Sequence, residues 1–331
     1  MGEEKSVMRV GILGAGHIAE KMSRTLNILP GWEPYAIASR SLEKAERFAR
    51  EFNFKKAYGS YLELVCDPDV DLVYVATPHS HHYEQARMTL EHGKACFVEK
   101  AFTANAQEAQ ELLELSKEKG VMIAEAIWTR YQPMRQIISD MLASGVIGEP
   151  KLVTCSLAYP IEQKERIQRP ELCGGALLDL GVYGINFVRM FFPGEWEEVN
   201  SQCTKSATGM DMTECISVRY TNGMMANMQF SALCVNDRQG IISGEKGYMI
   251  VDNINNPTKA TAYDKFGNIL MQREAPQQIT GFEYELEACR EAIENGWTES
   301  PYMPHREILT VMQIMDNLRK EWGVRFPMDR D

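Results

Sequence analysis

The sequence predicts an α/β plus α+β chain: an N-terminal doubly wound parallel sheet, then a C-terminal, mostly antiparallel open sheet covered by helices on one face. Three observations carry this. Near-continuous apolar runs alternate with helical patterns from Val7 to about Ala124. From Val199 to about Met271 the rhythm becomes apolar–polar alternation punctuated by turn residues. The 331 residues leave room for two domains of ~150 residues each; the doubly wound half takes about 125 residues and the rhythm has changed after Met134, so the domains are expected at 1–127 and 128–331.

In the first half, strands are expected at Val7–Leu13, Pro34–Ala38, Leu72–Ala76, Ala95–Val98 and Val121–Ala124. Consecutive apolar residues mean that both faces are covered, as in parallel sheets. Helical patterns fill the gaps at Ile18–Ile28, Leu42–Phe52, Tyr83–His92 and Ala106–Lys119. In the second half, Arg135–Ser144 reads as a helix closed by Gly145, Lys151–Tyr159 as a strand and Gly175–Phe192 as a helix. Ile216, Val218 and Tyr220 alternate with polar neighbours, and Asn222-Gly223 suits a two-residue type I′ turn into Met224–Phe230. Alternation then assigns Met224, Ala226, Met228 and Phe230 to the helix-covered face, and Met225, Asn227 and Gln229 to the open one. A second turn, Gly244-Glu245-Lys246-Gly247, joins another strand pair. Helices Phe282–Glu294 and His305–Glu321 finish the chain.

Composition narrows the function. With 44% hydrophobic and 24% charged residues the chain is not a disordered segment. Its net charge of −11 has the wrong sign for a nucleic-acid binder. Eight scattered cysteines with no Cys-x-x-Cys pair suit reduced thiols in the cytoplasm. Met1–Ser6 is charged, unlike a secretory leader. Gly2 and Ser6 fit a loose myristoylation pattern, but Glu3 and Glu4 would repel an anionic membrane. No apolar stretch is expected to reach the ~20 residues of a membrane span. A cytoplasmic protein with a small-molecule partner, and neither nucleic acid nor membrane, is expected.

The chemistry begins at Gly14-Ala15-Gly16-His17-Ile18-Ala19, a G-x-G-x-x-A run between the first strand and first helix. Glycines there let a pyrophosphate approach the helix N-terminus, the fingerprint of a Rossmann dinucleotide site built by Gly14, Gly16, His17 and Ile18. An NAD site usually carries an acid ~20 residues further on. Here the second strand ends in Ser39-Arg40, and Glu43 already lies inside the next helix. A hydroxyl and a guanidinium suit a 2′-phosphate, so NADP is expected over NAD, with Arg40 as a merely solvated helix-start residue the alternative. Thr77-Pro78-His79-Ser80-His81-His82 and Glu99-Lys100-Ala101-Phe102 stand at carboxyl ends of parallel strands, where ligands of such sheets bind. Lys100 there can supply a proton or fixed charge to a reacting oxygen; a Glu99–Lys100 surface ion pair is the plainer alternative. The three histidines raise a metal, but no carboxylate or thiolate stands at ligand spacing, so no metal is expected and His82 is read as orienting the loop or cofactor. In Gly174-Gly175-Ala176-Leu177-Leu178-Asp179-Leu180-Gly181-Val182-Tyr183, a helix would place Asp179 and Tyr183 on one face at i and i+4. A tyrosine beside a lysine cation can act as acid or base near neutral pH.

These residues resemble the Gfo/Idh/MocA family (glucose–fructose oxidoreductase, inositol dehydrogenase, rhizopine catabolism) over nearly the whole chain. The resemblance rests on Gly14-x-Gly16-x-x-Ala19, Thr77-Pro78-x-x-x-His82, Glu99-Lys100, Gly174-Gly175 followed by Asp179, and Gly244-Glu-Lys-Gly247. It implies that Lys100 and Asp179 are active-site residues and that Thr77, Pro78, His82 and Glu99 line the cofactor cleft. Two positions depart from the family pattern. Ala101 replaces the proline after the lysine, so a fixed φ is lost, and Tyr183 replaces a histidine. In Tyr183 and in Ala126-Ile127-Trp128-Thr129-Arg130-Tyr131 the chain is similar to the dimeric dihydrodiol dehydrogenase and NADP-dependent xylose 1-dehydrogenase branch. What that implies is hydride transfer between nicotinamide and a secondary alcohol or hemiacetal carbon of a sugar, polyol or cyclic trans-diol. Tyr183 would be the general acid/base, Lys100 would assist it, and Asp179 would orient substrate or lysine. His79, Trp128 and Arg130 would contact substrate, although Trp128 equally suits core packing. A homodimer through the open sheet face is implied too. The rival readings are a cofactor-binding sensor without turnover and a nicotinamide-dependent glycosidase.

Overall fold

Residues 7–329 are described by the structure, a computed structural model, so Gly2 and Ser6 of the acylation pattern lie outside it. One unit takes the described residues through Ile127 together with Ile279–Met312. Its strands β1 (Met8–Leu13), β2 (Trp32–Ala38), β3 (Lys56–Tyr58), β4 (Leu72–Val75), β5 (Ala95–Glu99) and β6 (Ile123–Ala126) pair in parallel, in the order β3-β2-β1-β4-β5-β6. Helices α1 (His17–Ile28), α2 (Leu42–Phe52), α3 (Tyr61–Val65), α4 (His82–Glu91) and α5 (Ala106–Lys119) connect them. Every residue of β4, β5 and β6 is buried, which is why these strands read as largely apolar, interrupted only by Glu99 and Glu125. The strand order reverses between β1 and β4, the crevice where doubly wound sheets bind ligands.

Two elements of this unit, β3 and α3, were not expected from the sequence. β3 is three half-buried residues, Lys56-Ala57-Tyr58, too short for a period to show. α3 is a single turn, yet it announces itself by a capping box in which Ser60 and Glu63 satisfy each other's backbone N–H.

The second unit takes Trp128–Gln278 and the described residues from Gln313 on. Helix α6 (Pro133–Ala143), strand β7 (Pro150–Ala158) and the short helix α7 (Glu165–Gln168) precede a π-helical turn, Leu177–Gly181, that runs into α8 (Val182–Phe191). Strands β8 (Trp196–Lys205), β9 (Asp211–Tyr220), β10 (Met225–Ser231), β11 (Gly240–Gly244), β12 (Gly247–Val251), β13 (Lys259–Asp264) and β14 (Ile269–Glu274) follow. With β7 they form an eight-stranded sheet, ordered β14-β13-β12-β11-β7-β10-β9-β8 and antiparallel except for the β7–β10 pair. α8 lies close on its covered face: a Cβ on Gly184 would stand 2.2 Å from the Phe230 ring. Phe230, Met228, Ala226 and Met224 are buried, while Met225 is 40% exposed and Gln229 is exposed, as the alternation requires. Burial of a side chain like Phe230 contributes ~1.5–3 kcal/mol.

The hairpin after β9 is not the two-residue type I′ turn. Tyr220 N donates to Met224 O and Gly223 N to Tyr220 O, so the loop has three residues, and Gly223 takes φ +83°. Asn222 contributes its side chain, accepting from Met224 N, instead of a left-handed backbone. The result is a type I turn followed by a left-handed glycine. Gly209 and Gly267 close the hairpins before β9 and β14 with the same hydrogen bonds.

The segment Pro170–Phe191 corrects another expectation. It has the length and mean hydropathy of a membrane span, but 83% of its apolar window is buried in the protein. Helices α9 (Glu283–Glu294) and α10 (His305–Trp322) end the chain. The sequence pattern groups all of 128–331, yet Ile279–Met312 counts with the first unit. Glu287 accepts from Trp32 Nε1 (2.7 Å), and His305 Nε2 lies 3.1 Å from Ile123 O.

Candidate active site

In the first unit, β1 delivers Gly14 at φ +102°, and a Cβ there would lie 2.8 Å from Thr77 Cγ2 and 2.9 Å from Ala76 O. Gly14 is therefore packed against the end of β4. Gly16 differs. It N-caps α1 without a side-chain bond, and a Cβ there would meet nothing within 4 Å. The neighbouring helices supply their own caps, Ser41 for α2, Ser60 for α3 and Asn105 for α5. α1, like α4, has no side-chain cap, and at Gly16 its first turn, His17-Ile18-Ala19, meets open space, which fits the pyrophosphate of a dinucleotide. At the end of β2, Ser39 is buried with its hydroxyl 3.4 Å from Ser41 N. Arg40 is exposed and has no ion pair among the described residues.

The ends of β4 and β5 are tied together by histidines. Buried His82 places Nδ1 2.9 Å from Ala101 O and Nε2 2.8 Å from Thr77 O. Burial lowers its pKa to about 4, so the ring is neutral at pH 7 and donates to only one of the two carbonyls. His79 Nε2 lies 3.2 Å from Lys100 O, Thr77 Oγ1 donates to Gln85, and Pro78 is exposed. Among the described residues no three His, Cys, Asp or Glu side chains are grouped to hold a metal. The peptide Lys100–Ala101 is cis without a proline. Ala101–Ala104 is at most 1% exposed, and Phe102 N donates to Glu125. Burial and these bonds fix the loop that proline's φ would otherwise restrict. Half-buried Lys100 follows Glu99, which receives the Tyr74 hydroxyl. Glu285 of α9 is fully buried with neither carboxyl oxygen hydrogen-bonded, and burial, then the charge of Glu99, holds it well above the usual carboxylate range.

In the second unit the Gly174-Gly175 pair permits two close approaches. A Cβ on Gly174 would stand 2.5 Å from Ile167 O, and one on Gly175, at φ +108°, 2.3 Å from Asp211 Oδ1. Gly175 N donates to Ile167 O, and Leu177 N donates to Asp211 Oδ2 at 2.7 Å. The expected continuous α-helix is replaced here by the π turn, whose wider winding carries Asp179 before α8 presents half-buried Tyr183. Asp179, 6% exposed, pairs with Arg166 at 2.7 Å. Beneath the turn Glu214 is fully buried, and desolvation with Asp211 nearby raises its pKa well above the usual range. Arg130 is 3% exposed and donates to Asn186 of α8; Trp128 donates to Asn255.

Sequence reasoning missed Arg166, Asp211, Glu214, Glu125 and Glu285. Glu214 had a signal, since alternation puts it on the apolar face with Met212 and Ile216. The others had none.

Residues 8–126 match the oxidoreductase family with an NAD-binding Rossmann fold, and residues 136–250 match the GFO/IDH/MocA C-terminal domain. The chain is 34% identical to trans-1,2-dihydrobenzene-1,2-diol dehydrogenase of Xenopus tropicalis over 96% of its length and 98% of the relative's. It is 32% identical to that of Mus musculus over 98% and 99%. Among solved structures, a 3-ketoreductase from Actinomadura kijaniata in complex with NADP and TDP-benzene superposes with a TM-score of 0.87 at 26% identity, covering 95% of this chain and 97% of that one.

Proposed function

The chain belongs to the Gfo/Idh/MocA oxidoreductase family, and from that premise we propose that it is an NADP-dependent dehydrogenase of a secondary alcohol or hemiacetal carbon in a sugar, polyol or cyclic trans-diol. The observation that carries the reading is the retention of Lys100 after β5, of Asp179 in the π turn and of Tyr183 at the start of α8, an acid–base set that a sensor has no use for. The diol dehydrogenase relatives and the NADP complex of the ketoreductase support the substrate class and cofactor.

The N–H groups at Gly16, His17 and Ile18 would hold the pyrophosphate at the start of α1, and Gly14, whose own N–H goes to Ala38 O, shapes the turn that leads there. Arg40, with Ser39, meets the 2′-phosphate. Thr77, Pro78 and Glu99 would line the nicotinamide end, and fully buried His82 orients their loop through the Thr77 and Ala101 carbonyls. Bound nicotinamide supplies the hydride chemistry. Tyr183 takes or gives the hydroxyl proton, Lys100 holds the substrate oxygen and favours the phenolate, and Asp179 orients the substrate. His79, Trp128 and Arg130 contact its remainder. The working form is a cytoplasmic homodimer joined through the open sheet face at Met225, Asn227 and Gln229.

The test is nicotinamide absorbance with a panel of sugars and trans-diols. Lys100→Met and Tyr183→Phe should each lower turnover by ~10²–10⁴-fold while cofactor affinity survives. Near-native turnover in either removes its role. Binding without any absorbance change points to a sensor, and product without net cofactor change to a glycosidase.

A further inference from the structure

In the second unit Asp179 forms an ion pair at 2.7 Å with Arg166, a residue on the short helix α7 outside the expected motifs. We propose that Arg166 is a positioning residue that holds the Asp179 carboxylate in its working orientation. The proposal rests on the reading that Asp179 acts at the reacting centre.

The geometry is built from the backbone upward. Ile167 is 1% exposed and anchors α7. Gly175 N donates to Ile167 O at 2.9 Å and Gly174 N to Arg169 O at 3.1 Å. Because Gly174 has no side chain, the Arg166 and Ile167 carbonyls lie where a Cβ would stand 2.8 Å and 2.5 Å away. The glycine pair is thus a docking surface for α7, and docking carries the Arg166 guanidinium to Asp179 Oδ1 at 2.7 Å. On the other side, Asp211 takes the Leu177 N–H at the start of the π turn. Asp179 sits in the middle of that turn, where backbone bonds fix its Cα but not its carboxylate. The charge-assisted bond from Arg166 is a restraint on how that carboxylate turns. Arg169, three residues on, pairs instead with Glu165 and Glu171 at the surface. Arg166's side chain is 40% exposed, so a small cation can replace it.

The experiment measures kcat, KM and cofactor affinity for Arg166→Ala, Arg166→Lys, Arg169→Ala and Asp179→Asn, with and without added guanidinium chloride. Arg166→Ala should lose up to about 10²-fold in kcat, the cost of a ~1 Å misplacement, with cofactor affinity unchanged. Millimolar guanidinium should restore part of the loss, which a packing role would not allow. Arg166→Lys should fall between Ala and wild type, because one ammonium lacks the planar fork, and Arg169→Ala should be unaffected. Full activity in Arg166→Ala alongside inactive Asp179→Asn overturns the positioning role alone, and so does a loss that guanidinium leaves untouched. Normal turnover in Asp179→Asn overturns the reading of Asp179 itself. If Arg166→Ala fails to fold, Arg166→Lys decides: kcat equal to wild type overturns the proposal, and a lowered kcat with unchanged cofactor affinity supports it.

Discussion

Alanine at Gly16 should separate cofactor binding from folding. Gly16 has φ −110° and ψ −177°, which alanine adopts without strain, and its Cβ would meet nothing within 4 Å. Loss of unfolded-chain freedom favours the variant by ~0.4–1 kcal/mol. Alanine's poorer fit at an N-cap costs a comparable amount, so stability should barely change. In the bound state the methyl group occupies the space through which the pyrophosphate must reach the first turn of α1. Losing one hydrogen bond to a charged group, ~1.5–3 kcal/mol, weakens binding by about 10- to 100-fold. Gly14→Ala should behave in the opposite sense. Its φ of +102° costs alanine ~1–3 kcal/mol. The 2.9 Å approach to the Ala76 carbonyl adds an overpacking penalty of ~1–3 kcal/mol. Urea unfolding and titration of NADPH fluorescence measure the two effects. If Gly16→Ala binds NADPH like wild type, or unfolds as readily as Gly14→Ala, the phosphate site has been misplaced.

Arg40→Ala should weaken NADP far more than NAD, because only NADP carries the 2′-phosphate; equal losses in a binding titration would contradict that. Glu285 keeps a proton in the native state that the unfolded chain has lost above pH ~4.3, so its contribution to stability is full below that pH and falls as pH rises, by up to ~1.4 kcal/mol per unit. Glu285→Gln should therefore gain on wild type between pH 5 and pH 8 in urea unfolding, and parallel curves would rule the effect out. Light scattering at micromolar concentration should show a dimer that charges at Met225 and Gln229 dissociate; a monomeric wild type, or a charged variant that stays dimeric, would refute that interface.

The parallel sheet, its helices and the glycine run were legible in the sequence, because burial of a strand on both faces and a helix opening on glycine leave local patterns. The faces of β10 were legible for the same reason, since alternation has a period of two. Lys100, Asp179 and Tyr183 came forward because the family resemblance singled out residues whose local chemistry also suited an alternative role in packing or a surface ion pair. Three features were decided only by the folded chain. The turn at Asn222 depends on whether its backbone or its side chain closes the loop, and both suit asparagine. The π turn that contains Asp179 has its first N–H, at Leu177, held by Asp211, which belongs to a strand beyond α8. Arg166 and Glu285 carry no local signature because a charge is buried or paired according to what lies across from it. For Glu285 the neighbour is Glu99 at the end of β5, and for Arg166 it is Asp179, brought within reach by two glycines that leave room for the approaching backbone.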